Sequence, residues 1–90
     1  MLNLMSGEGS TVKKLASVLS SDAKTGVVTE LGEGEKTFSE LQKKLKMTSG
    51  NLNYHLLGLH SLGLVSKKQK AYVLTVLGQD VVQKVKQATA

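Results

Sequence analysis

Apolar residues recur along this chain at two spacings, and the spacings divide it into elements. After an opening of Gly, Ser and Glu with scattered Leu2, Leu4 and Met5, the residues Val12, Leu15, Ala16 and Leu19 share one face of a helix that Ser10 or Thr11 can cap. The polar run SSD at 20–22 breaks that helix and offers a new cap before Ala23, Val27, Val28 and Leu31; Gly32 and Gly34 close this second helix. A third, short helix begins at Thr37 or Ser39, turns Phe38, Leu41 and Leu45 inward and stops near Met47. If Thr37 is its cap, Glu40 stands three residues on, as a capping box requires.

Thr48 then caps a helix with Leu52, Leu56 and Leu59 at i, i+4 and i+7, the stripe of a helix buried along one side, ended by Gly63. Leu64 to Lys67 and Ala71 to Leu74 are short and rich in β-formers, with KQK between them, and predict a small hairpin. Thr75 caps a last helix with Leu77, Val81, Val82 and Val85 on its apolar face. The predicted class is mainly α with a small β-hairpin: a tail over 1–9 expected to be flexible, and one domain over 10–90. Within it a helix pair spans about 37–62, the hairpin about 64–74 and the C-terminal helix about 76–87. A helix of about eight residues, a turn of three or four, a second helix and a two-stranded ribbon follow one another in the order of a winged helix-turn-helix.

Composition agrees with one small unit, since 90 residues with 40% apolar content hold a single modest core. Cysteine is absent, which excludes disulfides, thiolate metal sites and a thiol nucleophile. No run approaches the roughly 18 apolar residues of a membrane span, and MLNLMSGEGS lacks the basic start and long apolar region of a signal peptide. A soluble cytoplasmic protein with no membrane partner is expected. Charge changes the picture more. The net charge is +5, all of it from lysine; residues 1–35 hold three lysines and five acids, whereas 36–90 hold nine lysines and two acids. Such asymmetry fits an anionic partner, nucleic acid being the commonest, and equally a lysine-rich solvated face.

The segment FSELQKKLKMTSGNLNYHLLGLHSLGLV followed by AYVLTVLG resembles the winged-helix transcriptional regulators of the ArsR and MarR type, over about Ala23 to Gly78. The resemblance implies a prokaryotic-type regulator that binds double-stranded DNA, with the second helix of the pair in the major groove and the wing on the backbone. Leu57 and Gly58 depart from the pattern, standing where relatives carry basic or polar residues, and the chain has no arginine for bidentate guanine contact.

From Thr48 to Val65 there is no charged side chain. At about 100° per residue, the face opposite Leu52, Leu56 and Leu59 carries Gly50, Tyr54, Leu57 and Ser61, flanked by Asn51, Asn53 and Gly58. The small Ser49 and Gly50 let backbone N–H groups approach a phosphate, and the Thr48 and Ser49 hydroxyls can bond one. Asn51 and Asn53 carry the amide that pairs with adenine, or form a plain polar surface; Tyr54 can bond a phosphate or pack on a thymine methyl. An exposed Leu57 is more often a packing or partner contact than a base reader. Lys43, Lys44 and Lys46 before this helix, and Lys67, Lys68 and Lys70 in the wing, can hold phosphates on either side of it.

Other chemistry finds little support. His55 and His60 lie five apart, about 140° around a helix, so they do not converge on one ion, and no metal is expected. His55 matches the histidine of the resembling families and reads as a flank residue; His60 reads as surface. The acids are scattered, and GEGEK at 32–36 lacks the length and the lysine–serine ending of a phosphate loop, so neither catalysis nor a cofactor is expected.

A core of Val27, Val28, Leu31, Phe38, Leu41, Leu45, Leu52, Leu56, Leu59, Val65, Tyr72 and Leu74 would complete such a unit. The stripes Val12, Leu15, Leu19 and Val81, Val82, Val85 are then expected to pair across a twofold axis in a homodimer, the alternative being that the first helix packs on the last within a monomer. A protein-interaction module in a transcription or replication assembly is the second functional reading, and a basic RNA- or architecture-binding protein without sequence preference a third.

Overall fold

The structure is a computed structural model that describes residues 12–89; the tail over 1–9 and the candidate caps Ser10 and Thr11 lie outside the described residues. The chain is helical over 12–19 (α1) and continues as α2 (Asp22–Gly32), β1 (Lys36–Thr37), α3 (Phe38–Leu45), α4 (Ser49–Ser61), β2 (Val65–Lys68), β3 (Ala71–Leu74) and α5 (Val76–Thr89).

Hydroxyl side chains fix the helix starts. The first N–H groups of a helix have no partner within it, and a Ser or Thr oxygen just outside satisfies one of them. Ser21 Oγ accepts from the Lys24 N–H at 3.2 Å, Thr48 Oγ1 from the Asn51 N–H at 3.2 Å, and Thr75 Oγ1 from the Gly78 N–H at 3.0 Å. At α3 the bonding is reciprocal: Thr37 Oγ1 accepts from the Glu40 N–H at 3.1 Å while Glu40 Oε1 accepts from the Thr37 N–H at 2.8 Å, which is the capping box expected from the sequence. Lys46, with φ 54, ends α3 in the left-handed conformation, and the Met47 N–H donates to the Gln42 carbonyl at 3.2 Å.

The sheet has three antiparallel strands in the order β1-β3-β2. The hairpin pairs Val65 with Leu74, Ser66 with Val73, Lys67 with Tyr72 and Lys68 with Ala71, so Lys68 belongs to the strand and the turn is Gln69–Lys70, with Gln69 at φ 57. On the other edge of β3, Lys36 pairs with Tyr72 and Thr37 with Ala71, adding a strand that apolar spacing does not announce.

One core joins all the helices to the hairpin. Val27, Val28 and Leu31 of α2, Leu41 of α3, Leu52, Leu56 and Leu59 of α4, and Leu64, Val65 and Leu74 at the sheet are buried together with Val18 of α1 and Val81, Val82 and Val85 of α5. Phe38, Leu45 and Tyr72, expected inside, are only partly buried and pack against this cluster.

The expectation that Val81, Val82 and Val85 have little to cover within one subunit is corrected: all three are at most 2% exposed in the single chain. Gly32 explains the close seat of α5, because a Cβ there would come 3.2 Å from Val82 Cγ2. The buried face of α1 is corrected too. Val18 points inward with Leu15 beside the core, whereas Val12, Ala16 and Leu19 are exposed. The Thr25 hydroxyl donates to the Val18 carbonyl at 2.9 Å, holding α1 against the start of α2.

Candidate nucleic-acid interface

Three residues, Lys46 to Thr48, separate α3 from α4. Across this turn the Gln42 side-chain amide donates to Ser49 Oγ at 3.0 Å, so the two helices are tied at the point where α4 begins. Thr48 and Ser49 thereby use their oxygens as acceptors and keep a hydroxyl proton each to donate outward. Gly50 meets nothing within 4 Å of the place a Cβ would occupy, and the N-terminal amides of a helix point out of its end, so an anion has open access there.

Leu52, Leu56 and Leu59 are buried, as their spacing predicts, and the opposite side of α4 is open. Asn51 and Asn53 are exposed, Tyr54 is 68% exposed and Leu57 is 61% exposed. Among the described residues Leu57 therefore takes no part in the core. Towards the wing, Asn53, Leu57 and His60 share a groove with Lys67 and Tyr72, and the Lys67 ammonium lies 5.6 Å from the centre of the Tyr72 ring. Lys68 and Lys70 stand apart from this groove, at the wing tip beside Glu35 and Thr37. Lys43 and Lys46 are exposed on and after α3, where Lys43 shares a shallow depression with Lys36, Glu40 and Lys44.

On its other flank α4 meets a lysine that spacing does not bring forward. Lys24, on α2, places its ammonium 5.7 Å from the centre of the Tyr54 ring, and its Cε would lie 3.4 Å from a Cβ at Gly58. Gly58 thus leaves a lane along which a cation from α2 reaches the surface of α4. At the position where the resembling families carry a basic or polar residue on the helix itself, this chain has a glycine and a lysine from a neighbouring helix. Lys24 belongs to the acid-rich segment 1–35, so only the packing of α2 on α4 discloses its place.

His55 is half-buried with its ring edge-on to Tyr54, centroids 5.1 Å apart. Its Nδ1 is buried without a hydrogen-bond partner, and burial, helped by the nearby Lys24 charge, holds its pKa below the ordinary histidine value. His60 is exposed in the wing-side groove, so the two imidazoles face different surroundings. Among the described residues no three His, Cys, Asp or Glu side chains gather into a metal-holding group, and no described helix is long and apolar enough to cross a membrane.

Solved structures share this architecture. HlyU from Vibrio cholerae aligns with 90% of this chain and 94% of its own at 19% identity and TM-score 0.75. A MarR family protein from Mycobacterium tuberculosis aligns with 96% of this chain and 70% of its own at 16% identity and TM-score 0.71, and an ArsR family transcriptional regulator with 88% and 86% at 18% identity and TM-score 0.62. At such identities the likeness establishes the fold alone, a winged helix-turn-helix. No curated protein matches the chain in sequence. A family model described as a domain of unknown function, DUF7347, matches residues 13–85, and the chain belongs to that family.

Proposed function

We propose that the protein binds double-stranded DNA and acts as a cytoplasmic transcriptional regulator of prokaryotic type, with α4 in the major groove. The observation that carries this reading is the open, uncharged outer side of α4, flanked by Lys24 on one edge and Lys67 on the other. An α-helix with its side chains is about 10–12 Å across and the major groove about 12 Å wide, so a helix lying in it has phosphates along both edges. Lysines there supply the sequence-independent attraction, and amides and hydroxyls between them face base edges. Lys43, Lys46, Lys68 and Lys70 extend the basic surface to either side, and Thr48, Ser49 and Gly50 receive a phosphate at the start of α4.

A homodimer belongs to this proposal in a revised form. Since Val81, Val82 and Val85 are used inside the subunit, the second copy is met through α1, where, among the described residues, Val12 and Leu19 are exposed. Pairing there would set two α4 helices on one duplex and favour a palindromic site.

The exposed pair Tyr54 and Leu57 also suits a protein partner, which keeps the interaction-module reading as the second one. A gel-shift titration of the intact chain against DNA from upstream of its own gene, and against random duplex of equal length, separates the two. Retarded complexes with duplex support the DNA reading; failure to shift any duplex at low salt favours the protein partner.

A further inference from the structure

We infer that α4 selects A·T base pairs, with Asn53 on adenine and Leu57 against the C5-methyl group of a thymine beside it; this rests on the DNA-binding reading above. The two residues are four apart, one helical turn, and line the same groove facing the wing. Four residues rise about 6 Å along the helix axis, less than two base-pair steps of about 3.4 Å each. An amide and an isobutyl group therefore reach base pairs no more than two steps apart.

What each meets follows from the base edges. Adenine presents an acceptor at N7 and a donor at N6, which an asparagine amide matches with two bonds, and thymine is the only base with a methyl group in the major groove. Guanine presents two acceptors and is read by Arg or Lys; α4 carries neither, and the chain has no arginine. Two lysines beside α4 stand at its edges, Lys24 over Tyr54 and Lys67 over Tyr72. A G·C pair under Leu57 would press the cytosine amino group or guanine O6 against an isobutyl side chain, losing hydration with no bond in return. Leu57 has room to act this way, being 61% exposed and uninvolved in the core. Its being leucine where a surface would carry a polar residue is then a matter of specificity.

The test is selection from a randomised duplex library by the intact chain, followed by anisotropy titration of the enriched site made with thymine and with deoxyuridine, which lacks only the C5-methyl. Wild type should enrich sites with an A·T core and bind the deoxyuridine form about fourfold more weakly per contacted methyl. Leu57→Ala, on an exposed position that leaves the fold intact, should bind both forms equally, and Asn53→Ala should lose preference for adenine. Enrichment of guanine in the core, or equal binding of both forms by wild type, would overturn the inference, as would a methyl effect that survives in Leu57→Ala. Tight binding without sequence preference would overturn it while leaving DNA binding standing. Failure to bind any duplex would remove the DNA-binding reading and this inference together.

Discussion

Two glycines of this chain answer opposite demands. A Cβ at Gly78 would run into the carbonyl of Leu64, the same oxygen that accepts the Thr75 N–H at 3.0 Å, so the start of α5 sits directly on the chain leaving α4. Gly78→Ala forces backbone apart and should cost about 1–3 kcal/mol or more in urea denaturation. Gly50→Ala meets open space and should leave stability unchanged or slightly raised, while weakening duplex binding if the helix start approaches a phosphate. His55 adds a titration. Its pKa is depressed in the fold by burial, so the unfolded chain binds the proton more readily; stability should be full above about pH 6.5 and fall as the pH drops through the unfolded and then the folded value. Denaturation midpoints of wild type and His55→Gln between pH 5 and 8 check this, the variant showing a flatter profile over that interval.

Among the elements, α3 and α4 were legible because their signals are local. Thr37 with Glu40, and Thr48 ahead of an i, i+4, i+7 leucine stripe, carry start and face within a few residues, and both helices form as spaced. The Glu40 carboxylate accepts the Thr37 N–H, and this bond holds its pKa below the ordinary glutamate range; its contribution is present above the unfolded value and lost as the pH falls through the folded one. Thr37→Ala should cost about 1 kcal/mol, and Glu40→Gln should remove that part of the acid dependence. What the sequence did not disclose is set by distant packing. α1 has apolar residues around much of its circumference, so spacing alone cannot tell Val18 from Leu19. β1 is two residues long and exists because β3 offers it an edge. Lys24 reaches α4 only through the packing of α2. The wing was legible to within a residue, and its proposed role is testable: Lys67, Lys68 and Lys70 replaced by alanine should weaken all duplexes alike and flatten the salt dependence, by up to about one unit of slope for every phosphate the wing no longer neutralises.

At the scale of the molecule, burial of α5 separates folding from assembly. Val82→Glu places a charge in the core and should unfold the chain, whereas Leu19→Glu should leave a folded subunit; in the dimer proposal it converts a dimer at tens of micromolar to a monomer in sedimentation equilibrium. Whether the lysine-edged surface of α4 and the wing binds duplex DNA is decided by the affinity of the intact chain for a labelled duplex across a salt series. For this surface log K should fall linearly with log salt, with a slope of about 0.9 for each phosphate neutralised. An affinity indifferent to salt, or no binding at the lowest salt, would contradict it.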